Sequence, residues 1–194
     1  SSRDDVLPTS TDMNLYGGIY REAELILTER TAISPLYLGS DGVLVHPQTV
    51  GPEKVEGEIE VHITSKGDNS CTLNVDITSP RGERVFSKRQ KARLDGKPVS
   101  VAFSVDNPTL WSLRDPALYT VTASIGEDSI TDRVAVRTGF RSIGASTAEG
   151  LTINGERTPV RGVTLYHDNA LSGGTLTPED YDADLRIIRT MGAN

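Results

Sequence analysis

His167 and Asp168 close the stretch NGERTPVRGVTLYHD (154–168), directly after the apolar positions Val160, Val163 and Leu165. An imidazole beside a carboxylate can hydrogen-bond a polar ligand, or it can do no more than order a loop. Asp180, Asp182 and Asp184 offer the oxygen ligands that calcium takes. Helical spacing splays them around the axis, however, and no glycine-containing calcium loop surrounds them, so no metal is expected. Glu53, Glu56, Glu58 and Glu60 lie on or near one strand and read as a solvated sheet edge that discourages aggregation. Cys71 is the single cysteine, which excludes an intramolecular disulfide and argues against a cysteine zinc site. It shares parity with Leu73, Val75 and Ile77, which predicts a buried, unreactive thiol pointing inward. His46 and His62 are expected at the surface.

These residues need elements to position them, and the middle of the chain supplies strands. Ile59, Val61 and Ile63 alternate with polar residues, and so do Cys71–Ile77, Val99–Val105, Tyr119–Ile125 and the run from Ile130 to Val136. Period-two alternation puts one face inward and one outward, as in half-buried antiparallel strands. Turn signals recur, among them Ser79-Pro80-Arg81-Gly82 and Gly126-Glu127-Asp128. Short strands at this spacing predict an all-β, immunoglobulin-like antiparallel sandwich over residues 31–139, with Leu73, Val75, Val101, Phe103 and Val121 inward.

The two ends differ from the middle. Residues 1–16 lack periodicity and read as an irregular arm. Asn154-Gly155 is the favoured two-residue hairpin turn. From Pro178 the period becomes helical, with Tyr181, Leu185, Ile188 and Met191 on one stripe, Thr177 as N-cap and Gly192 as the stop. A strand, a loop and a helix open an α/β unit, and one such unit cannot bury its own faces. Self-association through these apolar ends is therefore expected.

The formal charge of −7, with lysines and arginines scattered along the chain, argues against a nucleic-acid or anionic-membrane partner. No apolar run approaches the ~20 residues of a membrane-spanning helix. The polar start has no basic segment leading into an apolar core, so no signal peptide is visible.

Four stretches together resemble the family 2 glycoside hydrolases, the β-galactosidase, β-glucuronidase and β-mannosidase group. GGIYREAEL (17–25) is similar to the end of the family's sugar-binding jelly roll. LWSLRDPALYTV (110–121) and TGFRSI (138–143) are similar to its immunoglobulin-like domain and the exit from it. TINGERTPVRGVTLYHD (152–168) with DYDADLRIIRTMGAN (180–194) resembles the first strand and helix of its (β/α)₈ barrel. The resemblance implies three parts: a jelly-roll remnant over 1–30, the sandwich over 31–139 and the start of a truncated barrel over 140–194. It also implies hydrolysis of O-glycosidic bonds in carbohydrate, with no cofactor. Retaining glycosidases use two carboxyl groups about 5–5.5 Å apart. The resemblance places both glutamates beyond Asn194, so no catalytic residue is assigned in this chain. Barrel active sites lie at the C-terminal ends of the strands, and the resemblance puts His167 and Asp168 there as substrate-binding residues. It also leans towards a periplasmic or secreted enzyme. The competing reading is a stand-alone carbohydrate-binding or adhesion sandwich, against which the low aromatic content of 5% counts.

Overall fold

The structure is a computed structural model that describes residues 18–19 and 22–194; the arm expected over 1–16 lies outside the described residues, as does Gly17. A compact unit spans Leu27–Thr158, and a second includes residues 159–194. The strands in chain order are β1 (Thr31–Ile33), β2 (Val43–Val50), β3 (Lys54–Val61), β4 (Ile63–Ser65), β5 (Ser70–Thr78), β6 (Arg84–Arg93), β7 (Val99–Asp106), β8 (Tyr119–Ile125), β9 (Asp132–Thr138), β10 (Ile143–Ser146), β11 (Gly150–Ile153) and β12 (Glu156–Arg157). One helix, α1 (Pro178–Thr190), follows.

The sandwich is immunoglobulin-like. A three-stranded sheet, β2-β3-β7, faces a four-stranded one, β6-β5-β8-β9, and every pairing is antiparallel. Alternation along β3, β5, β7 and β8 delivers the core directly. Ile59, Leu73, Val75, Ile77, Val101 and Val121 are completely buried. Each such side chain contributes roughly 1.5–3 kcal/mol of transfer free energy relative to exposure. Phe103 stacks on Phe140 at 5.8 Å, and Tyr119 meets Phe140 at 4.5 Å. Phe140 is fully buried, so the TGFRSI exit is itself part of the core.

Several expectations need correction. The acidic strand β3 is central, not an edge: β2 and β7 pair on either side of it. Glu56, Glu58 and Glu60 therefore line the outward face of a sheet, with Lys54 pairing to Glu56 at 2.6 Å. Ile63 does not continue β3, because the strand breaks at His62 and Ile63 starts β4, which pairs with β1. Cys71 is half-buried at the margin of the core. Burial, and secondarily the nearby Asp68 carboxylate, pushes its thiol above the usual range. Tyr119 is a core residue, and its hydroxyl accepts from the Thr109 amide at 2.8 Å.

The exit from the sandwich is held by a small polar clasp. Asn154 and Gly155 both have positive φ, 52° and 79°, as the two-residue turn between β11 and β12 requires. The Asn154 side chain accepts from the Ser142 amide at 3.0 Å and donates to the Trp111 carbonyl at 3.0 Å. Trp111 lies so close to Gly139 that a Cβ there would stand 2.8 Å from its ring. The Arg141 guanidinium sits 4.8 Å over the same indole.

Candidate functional site

The segment carrying His167 and Asp168 is organised by hydrogen bonds of its own unit. Thr177 caps α1 in a reciprocal box: its hydroxyl accepts from the Asp180 amide, and the Asp180 carboxylate accepts from the Thr177 amide at 2.9 Å. That gives Asp180 a structural task. At the other end Gly192, with φ 90°, and Ala193 donate back to Arg189 and Ile188, closing a Schellman turn. Asn194 then bridges back to the start of the segment, accepting from the Arg161 amide at 2.9 Å and donating to the Pro159 carbonyl at 2.8 Å. In the intervening loop the Asn169 side chain accepts from the amides of Leu171 and Ser172.

His167 is exposed, and its Nδ1 lies 3.3 Å from the Tyr181 hydroxyl, with the rings edge-on at 5.6 Å. Asp168 is half-buried and lines a shallow groove of about 300 Å³ with Val163, Tyr166, Asp184, Ile187 and Met191. The two residues thus face different surroundings: His167 meets α1 through Tyr181, and Asp168 borders an apolar groove. The arrangement can bond hydroxyl groups, and it brings the carboxylates of Asp168 and Asp184 to one groove. Residues 159–166, expected as a strand, form no ladder among the described residues. A barrel strand takes its hydrogen bonds from strands on both sides, and no described strand lies beside this one.

A second concavity, of about 440 Å³, was not foreseen. It lies in the sandwich unit, between the loop that follows β1 and the turn before β7. His62 is at its wall, stacked on Tyr37 at 3.6 Å and held by Glu60 at 2.6 Å. Its side chain is only 14% exposed, against 52% for His46, so the surface expectation holds for His46 and fails for His62. The sequence carried no signal of this, because Val61 and Ile63 keep strand parity across the break at His62. Among the described residues no cluster of His, Cys, Asp or Glu could hold a metal ion, and no helix is long and apolar enough to cross a membrane.

The sandwich that carries these features has a defined sequence signature. Residues 43–141 match the profile of glycosyl hydrolases family 2. The chain belongs to that family. A family 2 β-glucuronidase from Bacteroides fragilis is 31% identical over 98% of this chain, which spans 28% of that protein. The crystal structure of a putative β-galactosidase from Bacteroides fragilis superposes with a TM-score of 0.89 at 29% identity, covering 98% of this chain and 30% of that one. The crystal structure of an FMN-binding β-glucuronidase from Facaelibacterium prausnitzii L2-6 gives a TM-score of 0.86 at 32% identity, covering 100% of this chain and 30% of that one. This family 2 chain therefore spans less than a third of the length of these relatives.

Proposed function

We propose that this chain is a non-catalytic portion of a β-galactosidase- or β-glucuronidase-like enzyme that hydrolyses O-glycosidic bonds in carbohydrate. The observation that carries this reading is likeness along 98–100% of the chain to glycosidases of which it spans under a third. Residues 1–30 are read as the end of a jelly roll, 31–139 as a sandwich that braces the barrel, and 140–194 as the barrel's opening strand and helix. The catalytic carboxyl pair is assigned to sequence beyond Asn194. The isolated chain should then leave nitrophenyl β-glucuronide and β-galactoside intact. Turnover that survives purification and is lost on replacing one of this chain's own carboxylates would overturn the proposal.

In the whole enzyme His167 and Asp168 are assigned to the sugar subsite. Losing one sugar hydrogen bond costs roughly 1–3 kcal/mol, or about one to two decades in kcat/KM. His167→Ala and Asp168→Asn should therefore lower kcat/KM while the Tm stays near its original value. A lowered Tm with unchanged kinetics returns the pair to loop ordering. The exposed Leu185, Ile187 and Met191 on α1 support self-association of the isolated chain. Sedimentation as a monomer at high concentration would refute that part.

A further inference from the structure

Seven of the twenty arginines and lysines, scattered along the sequence, are brought by the fold onto the two edge strands of one sheet. Half of β6 is basic, and Arg84, Arg89, Lys91 and Arg93 take the outward face, while Lys88 pairs with the buried Val75 and has the inward parity. At the opposite edge β9 turns Arg133 and Arg137 outward. The register sets these cations in rows. Arg89 pairs with Asn74, Asn74 with Ser124 and Ser124 with Arg133. Arg84 pairs with Thr78, Thr78 with Thr120 and Thr120 with Arg137. Each row runs from a cation through hydroxyl or amide side chains to a cation. Three inter-strand spacings put the rims about 14 Å apart, with outward side chains about 7 Å apart along each strand. The opposing sheet presents Glu56, Glu58 and Glu60 instead.

Few of these cations are neutralised. Arg84 Nη1 stands 4.0 Å from Asp76, and Arg89 donates to the Glu127 carbonyl at 2.9 Å. Among the described residues no ion pair engages Lys91, Arg93, Arg133 or Arg137. Charged edge strands do discourage pairing with other sheets. That task calls for charge on the edges alone and does not explain a half-buried floor of Thr72, Asn74, Thr120 and Thr122. The floor has one carboxylate, Asp76, whose Oδ2 accepts from Asn74 at 2.7 Å while its Oδ1 has no hydrogen-bond donor.

We propose that the outward face of the β6-β5-β8-β9 sheet binds an acidic polysaccharide chain, its carboxylates on the Arg and Lys rims and its hydroxyls on the polar floor. The proposal rests on the carbohydrate-directed reading above. An anion that draws Arg84 aside opens Asp76 Oδ1 to a hydroxyl donor, and a uronate sugar carries both groups. Duplex DNA and polyphosphate bring anions without such hydroxyls, and the floor offers no aromatic ring on which single-stranded bases could stack.

The test is affinity electrophoresis of the 194-residue chain through gels containing polygalacturonate, a neutral polysaccharide, duplex DNA or polyphosphate. Retardation by polygalacturonate alone is expected. Arg89→Ala/Lys91→Ala/Arg93→Ala should bind roughly tenfold more weakly and with a shallower salt dependence, because fewer counterions are released. Arg133→Ala/Arg137→Ala should also weaken binding, and Glu58→Gln on the other sheet should not. Asp76→Ala separates recognition from bulk charge: it should weaken binding, whereas pure electrostatics would strengthen it. Melting curves check that each variant is folded. Equal binding of DNA or polyphosphate, tighter binding by Asp76→Ala, or an unaffected triple variant overturns the proposal. Hydrolysis by the longer enzyme is a separate readout, so either idea can fail without the other.

Discussion

The sandwich and the helix-bearing end are both well specified locally, yet among the described residues only the sandwich has buried apolar side chains. In the sandwich, Leu73, Val75 and Ile77 disappear completely from solvent. In α1 a capping box and a Schellman turn frame thirteen residues, none of which is buried. The difference shows that capping and periodicity are enough to place a helix, while burial depends on a partner surface. Helical stability in proteins comes mainly from packing of the apolar face, and among the described residues α1 has complete caps but no fully buried side chain.

The largest expected contrast is in the core. Phe140→Ala should lower sandwich stability by about 3–5 kcal/mol, measured by urea denaturation. Ile188→Ala should move the same midpoint little, because α1 lies outside the sandwich unit. A large shift from Ile188→Ala would break the distinction between the two units.

The clasp at Asn154 should come next. Asn154→Ala loses two side-chain hydrogen bonds and places alanine at positive φ, at a cost of about 1–3 kcal/mol. Asn154→Gly keeps the turn conformation and should cost less; equal losses would mean that the hydrogen bonds account for the whole effect.

Thr177→Ala should remove about 1 kcal/mol of local helix stability. Amide exchange over residues 178–190 should accelerate while the urea midpoint of the sandwich stays fixed. Coupled changes in both would refute independence.

The smallest effect concerns Cys71. Its raised thiol pKa leaves stability unchanged below the ordinary value of 9.0. Above that value the unfolded chain ionises first, so stability declines as pH rises towards the folded-state pKa. Thiol labelling at pH 8 should be slower in the native protein than in urea, and Asp68→Asn should speed it.

The strands read from the sequence were those with uninterrupted alternation, and the helix ends were legible because Thr177, Pro178 and Gly192 act through nearby backbone. What stayed hidden depends on distant pairing. β6 carries SKRQKAR in place of an apolar stripe, because an edge strand needs little burial, and so it left no periodic signal. Nothing in EGEIEV shows that β3 lies between two partners. Phe140 is a lone aromatic in a short exit segment, and its burial follows from Phe103 and Tyr119 arriving beside it. His167 and Asp168 were marked by their place after an apolar run, while His62 was masked by the neighbours that give its strand parity.

The Asn154-Gly155 turn also bears on how the protein ages. Asparagine followed by glycine is the pair most prone to deamidation, because the next amide nitrogen meets little steric hindrance as it attacks the side-chain carbonyl. Here that carbonyl oxygen is held by Ser142 and the amide nitrogen by the Trp111 carbonyl. Opening of the clasp would release both, and isoaspartate formed while it was open would insert an extra backbone carbon into the turn. Chemical wear at this one position thus reports how often the sandwich exit has come apart.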